Sequence, residues 1–354
     1  MEEQKDMLSL LDMMVQPVFC AKESKITKVN AAAQQLFLSV GDDVTSLLLT
    51  GAEEYAELTD GCLYLTLALG GQPTGASVRR MDGMDVFVLD SESDSSALRA
   101  MALAASELRK PLSGVLSDAS ALLESQEDPE TRQQLAQLNR GLYRMLRLLG
   151  NMSDAEHFAS HCRMETADVG SVLRDIFEKA RTLVEHAGIT LTYQDWQESI
   201  YCLLDRSQLE RAVLNILSNA VRFTPKGGQI IAGLTRRGRT LRLTIQDSGS
   251  GIAEEVMGNL FQRYLRQPGI EDSRFGLGLG IKLIHTTALH HGGTLLIRQG
   301  DGGGTCVVLT MAIRQKEQPA LRSPVLKVDY TGGFDHSLVE LADCLPASLY
   351  DGTF

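Results

Sequence analysis

At 354 residues with a net charge of −11 and no basic block, the chain is long enough for two or three domains and lacks the electrostatic footprint of a nucleic-acid binder. Its 44% hydrophobic and 22% charged residues are the balance of a soluble globular protein. No apolar run nears the roughly 20 residues that span a bilayer, and the acidic start MEEQKDM has no signal-peptide pattern. Six scattered Cys without C-x-x-C read as reduced thiols, which places the chain in the cytoplasm.

Residues 8–92 predict a small α/β unit. PVFCAKE and KITKVN read as two short strands, AAAQQLF as a short helix, and CLYLTLAL, ASVRRMD and MDVFVLD as three strands separated by GGQPTG and a turn at Asp82–Gly83. Strand pair, helix, three strands is the order of a PAS sensor domain. The stretch PVFCAKESKITKVNAAAQQLF resembles the PAS start, with Asn30 leading into the helix. The resemblance implies either a ligand sensor or a module used for dimerisation. A His-ligated haem is disfavoured because no His precedes His157, and no flavin-thiol motif surrounds Cys20 or Cys62.

Residues 96–160 predict a helical hairpin. After the polar SESDSS, apolar residues recur at alternating spacings of three and four: Leu98, Met101, Ala105, Leu108, Leu112, Val115, Ala119, Leu122. That is a heptad seam. Gln126 to Glu130 breaks it, with Asp128 placed to cap and Pro129 to start a second helix. The second seam is Leu135, Leu138, Leu142, Met145, Leu149, Met152. Two such helices bury little alone, whereas two copies close a four-helix bundle, so a homodimer is expected.

Within the first helix, ASELRKPLSGV resembles the histidine kinase H-box, commonly S-H-E-L-R-T-P-L. Glu107, Leu108, Arg109, Pro111 and Leu112 match, Ser106 stands at the phosphoacceptor His, and Lys110 stands where Thr or Asn is usual. A neutral imidazole is a good nucleophile near pH 7, whereas a serine hydroxyl needs a base. The resemblance gives that role to Glu107, a carboxylate that is weak for the task unless buried. Three readings stay open: a silent dimer that binds ATP as a signal, a kinase acting on a partner's His, and phosphorylation of Ser106 itself or of His157 or His161. The bland reading of His157 and His161 is a solvated helix end.

Residues 164–315 carry the densest chemistry. A short strand, an amphipathic helix with Val172, Ile176, Ala180 and Leu183 on one face, and strands at ITLTYQ and ESIYCLLD come first. Asn215 and Asn219 lie four apart in a helical run, so their amides share a face and suit Mg²⁺ as oxygen ligands. Asp247 ends the alternating strand LRLTIQ and precedes Gly249 and Gly251. A carboxylate there can accept from an amine of a flat ligand. Gly276, Gly278 and Gly280 precede another helical run, a placement that lets backbone N–H groups approach phosphate.

In this order, LNILSNAVRFTPKGG, QDSGSGI, LFQRYLR and FGLGLGIKLIHTTALHHGGTL resemble the N, G1, F and G2 boxes of the histidine-kinase ATP-binding domain, a member of the GHKL superfamily. The resemblance covers about 150 residues, from Asp205–Leu209 to Gly302–Thr305. It implies ATP and Mg²⁺ as cofactors, with Asn219 and Asn215 for the metal and Arg222, where Lys is usual, for phosphate. Asp247 would hold the adenine amine, Gly249 and Gly251 the adenine pocket, Gly276, Gly278 and Gly280 the lid, and Thr305 would help hold adenine. A response regulator or partner kinase is the implied partner. Anti-sigma kinases that phosphorylate Ser are GHKL relatives too, but they lack a hairpin of this kind. His290 and His291 before Gly292–Gly293 read as a turn, and DWQES as a solvent loop. Residues 316–354 begin as a linker and then predict a strand and a short helix, used for packing or docking. The expected whole is an α+β multidomain chain: a PAS-like α/β unit, a two-helix dimerisation hairpin and an α/β-sandwich ATPase domain.

Overall fold

The computed structural model describes residues 16–81, 83–90, 93–160, 162–194, 196, 198–252, 279–315, 331 and 333–352, without the side chains of 93–98 and 154–160. The N-terminal unit opens with β1 (Val18–Lys22) and β2 (Lys25–Val29), followed by three short helices, α1 (Ala31–Gln34), α2 (Val44–Leu47) and α3 (Ala52–Ala56). Then come β3 (Cys62–Leu69), β4 (Gln72–Met81) and β5 (Met84–Leu89), the expected strand pair and strand triplet. GGQPTG is shorter as a turn than expected, because β4 already begins at Gln72. Asn30 is buried and caps α1: its Oδ1 accepts from Ala33 N at 2.9 Å and Val18 N at 3.0 Å, and its Nδ2 donates to Gln16 O at 2.8 Å.

The hairpin is α4 (Ser93–Ser125) and α5 (Pro129–Ser160). Asp128 caps α5 as expected, its Oδ2 accepting from Thr131 N at 2.8 Å. The heptad seam is only half used within the chain. Ala105, Leu112 and Ala119 are buried, together with Ala102, Leu116 and Leu123, whereas Met101, Leu108, Val115 and Leu122 are exposed. On α5, Leu138 and Met145 are exposed while Ala136 and Leu146 are buried. Each helix thus turns one edge of its stripe toward its neighbour and leaves the other, at seven-residue spacing, without cover among the described residues. The seam position Leu98 lies outside the described side chains.

The remaining elements are β6 (Glu165–Asp168), α6 (Val169–His186), β7 (Thr190–Gln194), β8 (Tyr201–Leu204), α7 (Arg206–Phe223), β9 (Gln229–Arg237), β10 (Thr240–Asp247), α8 (Leu279–His290), β11 (Leu295–Gln299), β12 (Thr305–Ala312) and α9 (His336–Glu340), with a 3₁₀ turn at Ala347–Tyr350. Val172, Ile176, Ala180 and Leu183 form the buried face of α6, as the period predicts. Trp196 corrects the solvent-loop expectation: it is half-buried and packs against the core. The short helix expected in the last segment is α9; the strand expected before it falls outside the described residues.

One ten-stranded sheet runs through both units in the order β2-β1-β5-β4-β3-β11-β12-β10-β9-β7, and β6 and β8 form a separate pair. The pairs in the large sheet are antiparallel except β7 with β9, which is parallel. The join is β3 against β11, with Cys62, Leu63 and Tyr64 opposite Ile297, Leu296 and Leu295. Alternation along the strands sends Val18 and Cys20 into one core and Phe19 and Ala21 into the other. The first core also holds the apolar faces of α6, α7 and α8; the second lies under the short helices and includes Leu296 and Val308. Among the described residues no helix is long and apolar enough to cross a membrane.

Candidate functional site

Helix α7 positions the first group of candidate residues. Its N-cap Asp205 accepts from Gln208 N at 3.1 Å and Ser207 Oγ at 2.8 Å through Oδ1, and from Arg163 N at 2.8 Å through Oδ2. The backbone N–H of Asp205 donates to His291 Nε2 at 3.0 Å, while His291 Nδ1–H donates to Thr287 O at 2.7 Å. These two bonds fix a neutral tautomer, in keeping with burial pushing the His291 pKa down. His291 therefore locks the end of α8 to the start of α7. His290 ends α8 and His291 stands in the turn that follows it.

Asn215 and Asn219 sit one turn apart on α7 in different surroundings: Asn215 is buried and Asn219 exposed. Asn215 Oδ1 accepts from Arg147 of α5 at 3.3 Å. Its Nδ2 donates to Arg211 O at 3.0 Å and to Glu340 Oε2 of α9 at 3.3 Å. Gly280 packs here as well, since a Cβ on it would lie 3.0 Å from Asn215 Oδ1. Arg222 is exposed near the end of α7, its guanidinium 5.6 Å from the Phe223 ring centroid.

Asp247, at the end of β10, is nearly buried. Its Oδ1 accepts from Gly249 N at 2.8 Å and from Thr305 N at 3.1 Å. Among the described residues these are its side-chain bonds, so Oδ2 is left to accept from a ligand donor. Glycines wall this carboxylate. A Cβ on Gly249 would collide with Phe223 O, and one on Gly304, at φ +74°, would collide with Asp247 O. Gly251 is likewise closed off, by Gln299. A strand-end carboxylate in a notch made of backbone suits the edge of a flat, amine-bearing ring. Asp247, Gly249, Gly251 and Thr305 come together here; Gly276, Gly278 and Leu260–Arg266 lie outside the described residues.

Ser106 and Glu107 lie on α4, both exposed. His157 has no described side chain, and His161 lies outside the described residues.

The sequence reading missed the charged cluster that holds Asn215. Arg211 Nε donates to Glu340 Oε1 at 3.1 Å and its NH2 to Asn151 Oδ1 at 3.0 Å. Arg147 pairs with Glu340 at 3.4 Å and also with Asp343. Arg211 and Glu340 are each only 1% exposed. The signal was present but weak: Glu340 in SLVELADCL and Arg211 in LERAVLNIL stand among apolar residues, and a charge that such a run buries needs a partner.

Residues 204–315 match the family described as histidine kinase-, DNA gyrase B-, and HSP90-like ATPase. The chain is 28% identical over 208 residues to the sensor protein KdpD of Clostridium acetobutylicum, covering 56% of this chain and 23% of that protein. It is 28% identical over 273 residues to the signal transduction histidine-protein kinase/phosphatase MprB of Mycolicibacterium vanbaalenii, covering 75% and 51%. Among solved structures, full-length ShkA in complex with AMPPNP gives a TM-score of 0.49 at 21% identity, over 63% of this chain and 47% of that one. Residues 204–315 therefore carry a histidine kinase-type ATPase domain, and the chain is similar to sensor histidine kinases over a wider stretch. It spans 23% of the KdpD length and 51% of the MprB length.

Proposed function

We propose that the chain binds Mg²⁺-ATP in the α7–β10–α8 region and works in two-component-type signalling as a homodimer, with a PAS-like input unit and a hairpin whose acceptor position is Ser106. The observation that carries the nucleotide reading is Asp247: a nearly buried carboxylate with Oδ1 held by two backbone N–H groups and walls of glycine. In this reading the outer carboxylate oxygen takes the adenine amine, Thr305 and the glycines shape the adenine pocket, and Asn219, exposed on α7, serves the metal. Asn215 joins the metal site once released from Arg147, Arg222 meets phosphate, and the Gly276–Gly280 run covers the phosphates. The uncovered stripe of Met101, Leu108, Val115 and Leu122 supports a second copy as dimer partner.

Calorimetric titration with Mg²⁺-ATP tests the reading. Saturable binding that Asp247→Ala weakens by a factor of ten or more is expected, since each bond to the carboxylate contributes about 1.5–3 kcal/mol. No heat at millimolar nucleotide would refute it.

A second reading is favoured by Ser106. With an exposed hydroxyl and an exposed Glu107 in place of an imidazole, the chain acts without self-phosphorylation, as an ATP-dependent regulator of a partner kinase or response regulator in the cytoplasm. Transfer of label to a partner's His, or its absence, separates the two.

A further inference from the structure

The groove between α5 and α7 is lined by Arg147 on one side and Arg211 on the other, and the acidic segment Asp335–Tyr350 fills it. Glu340 sits at the centre, shared by Arg211, Arg147 and Asn215. Asp343 holds Arg147 and Arg144 at the rim. Arg140 reaches the carbonyls of Ala342 and Asp343 beyond the end of α9, at 3.2 Å each, which satisfies groups that a helix end leaves open. Leu338, Leu341, Ala342, Leu345 and Leu349 add an apolar underside that joins the main core.

We propose that this groove is a docking surface for a short acidic helix, filled in cis by Asp335–Tyr350, and that the docked segment withholds Asn215 from metal–nucleotide and fixes α7 to the hairpin helix α5. The inference rests on the nucleotide reading above. A ligating amide must offer its oxygen to the metal. In the docked state the Asn215 oxygen accepts from Arg147, and its nitrogen is held by the Arg211 carbonyl and the Glu340 carboxylate. Turning Asn215 toward a metal breaks bonds to three groups at once. Arg147 comes from the hairpin, Arg211 from the ATPase unit and Glu340 from the segment, so undocking removes one of the amide's three bonds and the carboxylate that holds both arginines beside it. By reciprocity, whatever the segment takes from nucleotide affinity, bound nucleotide takes from segment docking.

The test uses the full chain with Mg²⁺-AMPPNP, binding followed by calorimetry and segment docking by hydrogen exchange. Saturating nucleotide is expected to raise exchange across 336–350. Glu340→Gln and Asp343→Asn are each expected to tighten binding at least about fivefold, the low end of usual coupling, with Mg²⁺ present but not in a chelator, because the notch around Asp247 is untouched. Asp343 is a quarter exposed, so its variant serves where Glu340→Gln fails to fold. Nucleotide binding that leaves 336–350 equally or better protected, or variants that bind no tighter, would overturn docking control while the nucleotide reading stands. Absence of binding in both the natural chain and Asp343→Asn would overturn both.

Discussion

Tyr64 of β3 stands directly opposite Leu295 of β11, in register, and its ring lies 5.1 Å from that of His285 on α8. Through this pairing the N-terminal unit and the ATPase unit share one sheet and one core. Tyr64→Ala is expected to cost about 3 kcal/mol, the low end for losing a buried ring, and to lower the stability of both units. The single Trp, Trp196, packs against the ATPase core, so its fluorescence in urea reports that unit, while hydrogen exchange in β1–β5 reports the other. Coincident transitions that shift together are expected. A shift confined to exchange in β1–β5 would show that the seam transmits nothing.

The notch around Asp247 depends on backbone taking the place of side chains. Gly304 combines a φ of +74° with a Cβ direction that runs into Asp247 O. Gly304→Ala is expected to destabilise by about 2 kcal/mol or more from the left-handed conformation and the clash combined, and to abolish nucleotide binding at temperatures where the fold persists. Gly302→Ala, with nothing within 4 Å of its added Cβ, is the control; it carries the conformational strain alone and should retain binding. Equal loss of binding in both would remove the close approach at Gly304 as the cause.

Three histidines set a pH limit on stability. Burial pushes the pKa of His285, His290 and His291 down from the usual 6.5, and His285 Nε2 has no hydrogen-bond partner among the described residues. With folded values below the unfolded value, all three are neutral in both states above 6.5 and cost nothing. As pH falls through 6.5 the unfolded chain takes up protons that the folded chain refuses, so stability drops until the folded values are reached. The slope is at most about 1.4 kcal/mol per pH unit for each residue. Urea midpoints followed from about pH 8 to about pH 5.5 should fall on the acid side, and His285→Phe should flatten the fall. A midpoint unchanged across that range would contradict the burial of these rings.

The hairpin prediction follows from which half of the seam is covered. Leu116 is fully buried inside the chain, whereas Leu108 and Val115 are 56% and 52% exposed. Leu108→Glu with Val115→Glu is expected to convert a dimer to a monomer in light scattering with the melting temperature of the ATPase unit kept. Leu116→Glu is expected to unfold the hairpin instead, since an unpaired buried charge is not tolerated. A natural chain that scatters as a strict monomer at every concentration would count against the dimer.

Local patterns were legible in the sequence because their cause is local. The period of α6, the Asp128 cap and the strand alternation that ends at Asp247 depend only on neighbours along the chain. The close backbone approach at Gly249 and Gly251 was legible for the same reason, since a tight approach needs Gly wherever it occurs. What the sequence did not reveal depends on long-range choice. The heptad pattern named both edges of the α4 stripe but not which edge α5 would cover. The β3–β11 pairing joins strands more than two hundred residues apart, and no local signal sets it. The Glu340 cluster needed three distant segments to meet, although Arg211 and Glu340 each stand among apolar residues in the sequence.

The proposed acceptor position, Ser106, is open to a direct labelling test. It is exposed on α4 next to Glu107, also exposed, so that carboxylate keeps ordinary solvation and is a poor base for a hydroxyl. With γ-labelled ATP the natural chain is expected to take up little or no label. Ser106→His supplies a neutral nucleophile in a setting that still has Glu107, Arg109 and Pro111, and is expected to gain label that an acid wash removes, since phosphohistidine is acid-labile. Acid-stable label in the natural chain that vanishes in Ser106→Ala would instead make Ser106 a true acceptor. Acid-labile label in the natural chain would place the acceptor elsewhere, with His157 tested first. If Ser106→His stays unlabelled while nucleotide binds, the barrier lies in the reach of the ATPase unit, and Asp343→Asn, by loosening that unit from α5, is expected to restore labelling in the double variant.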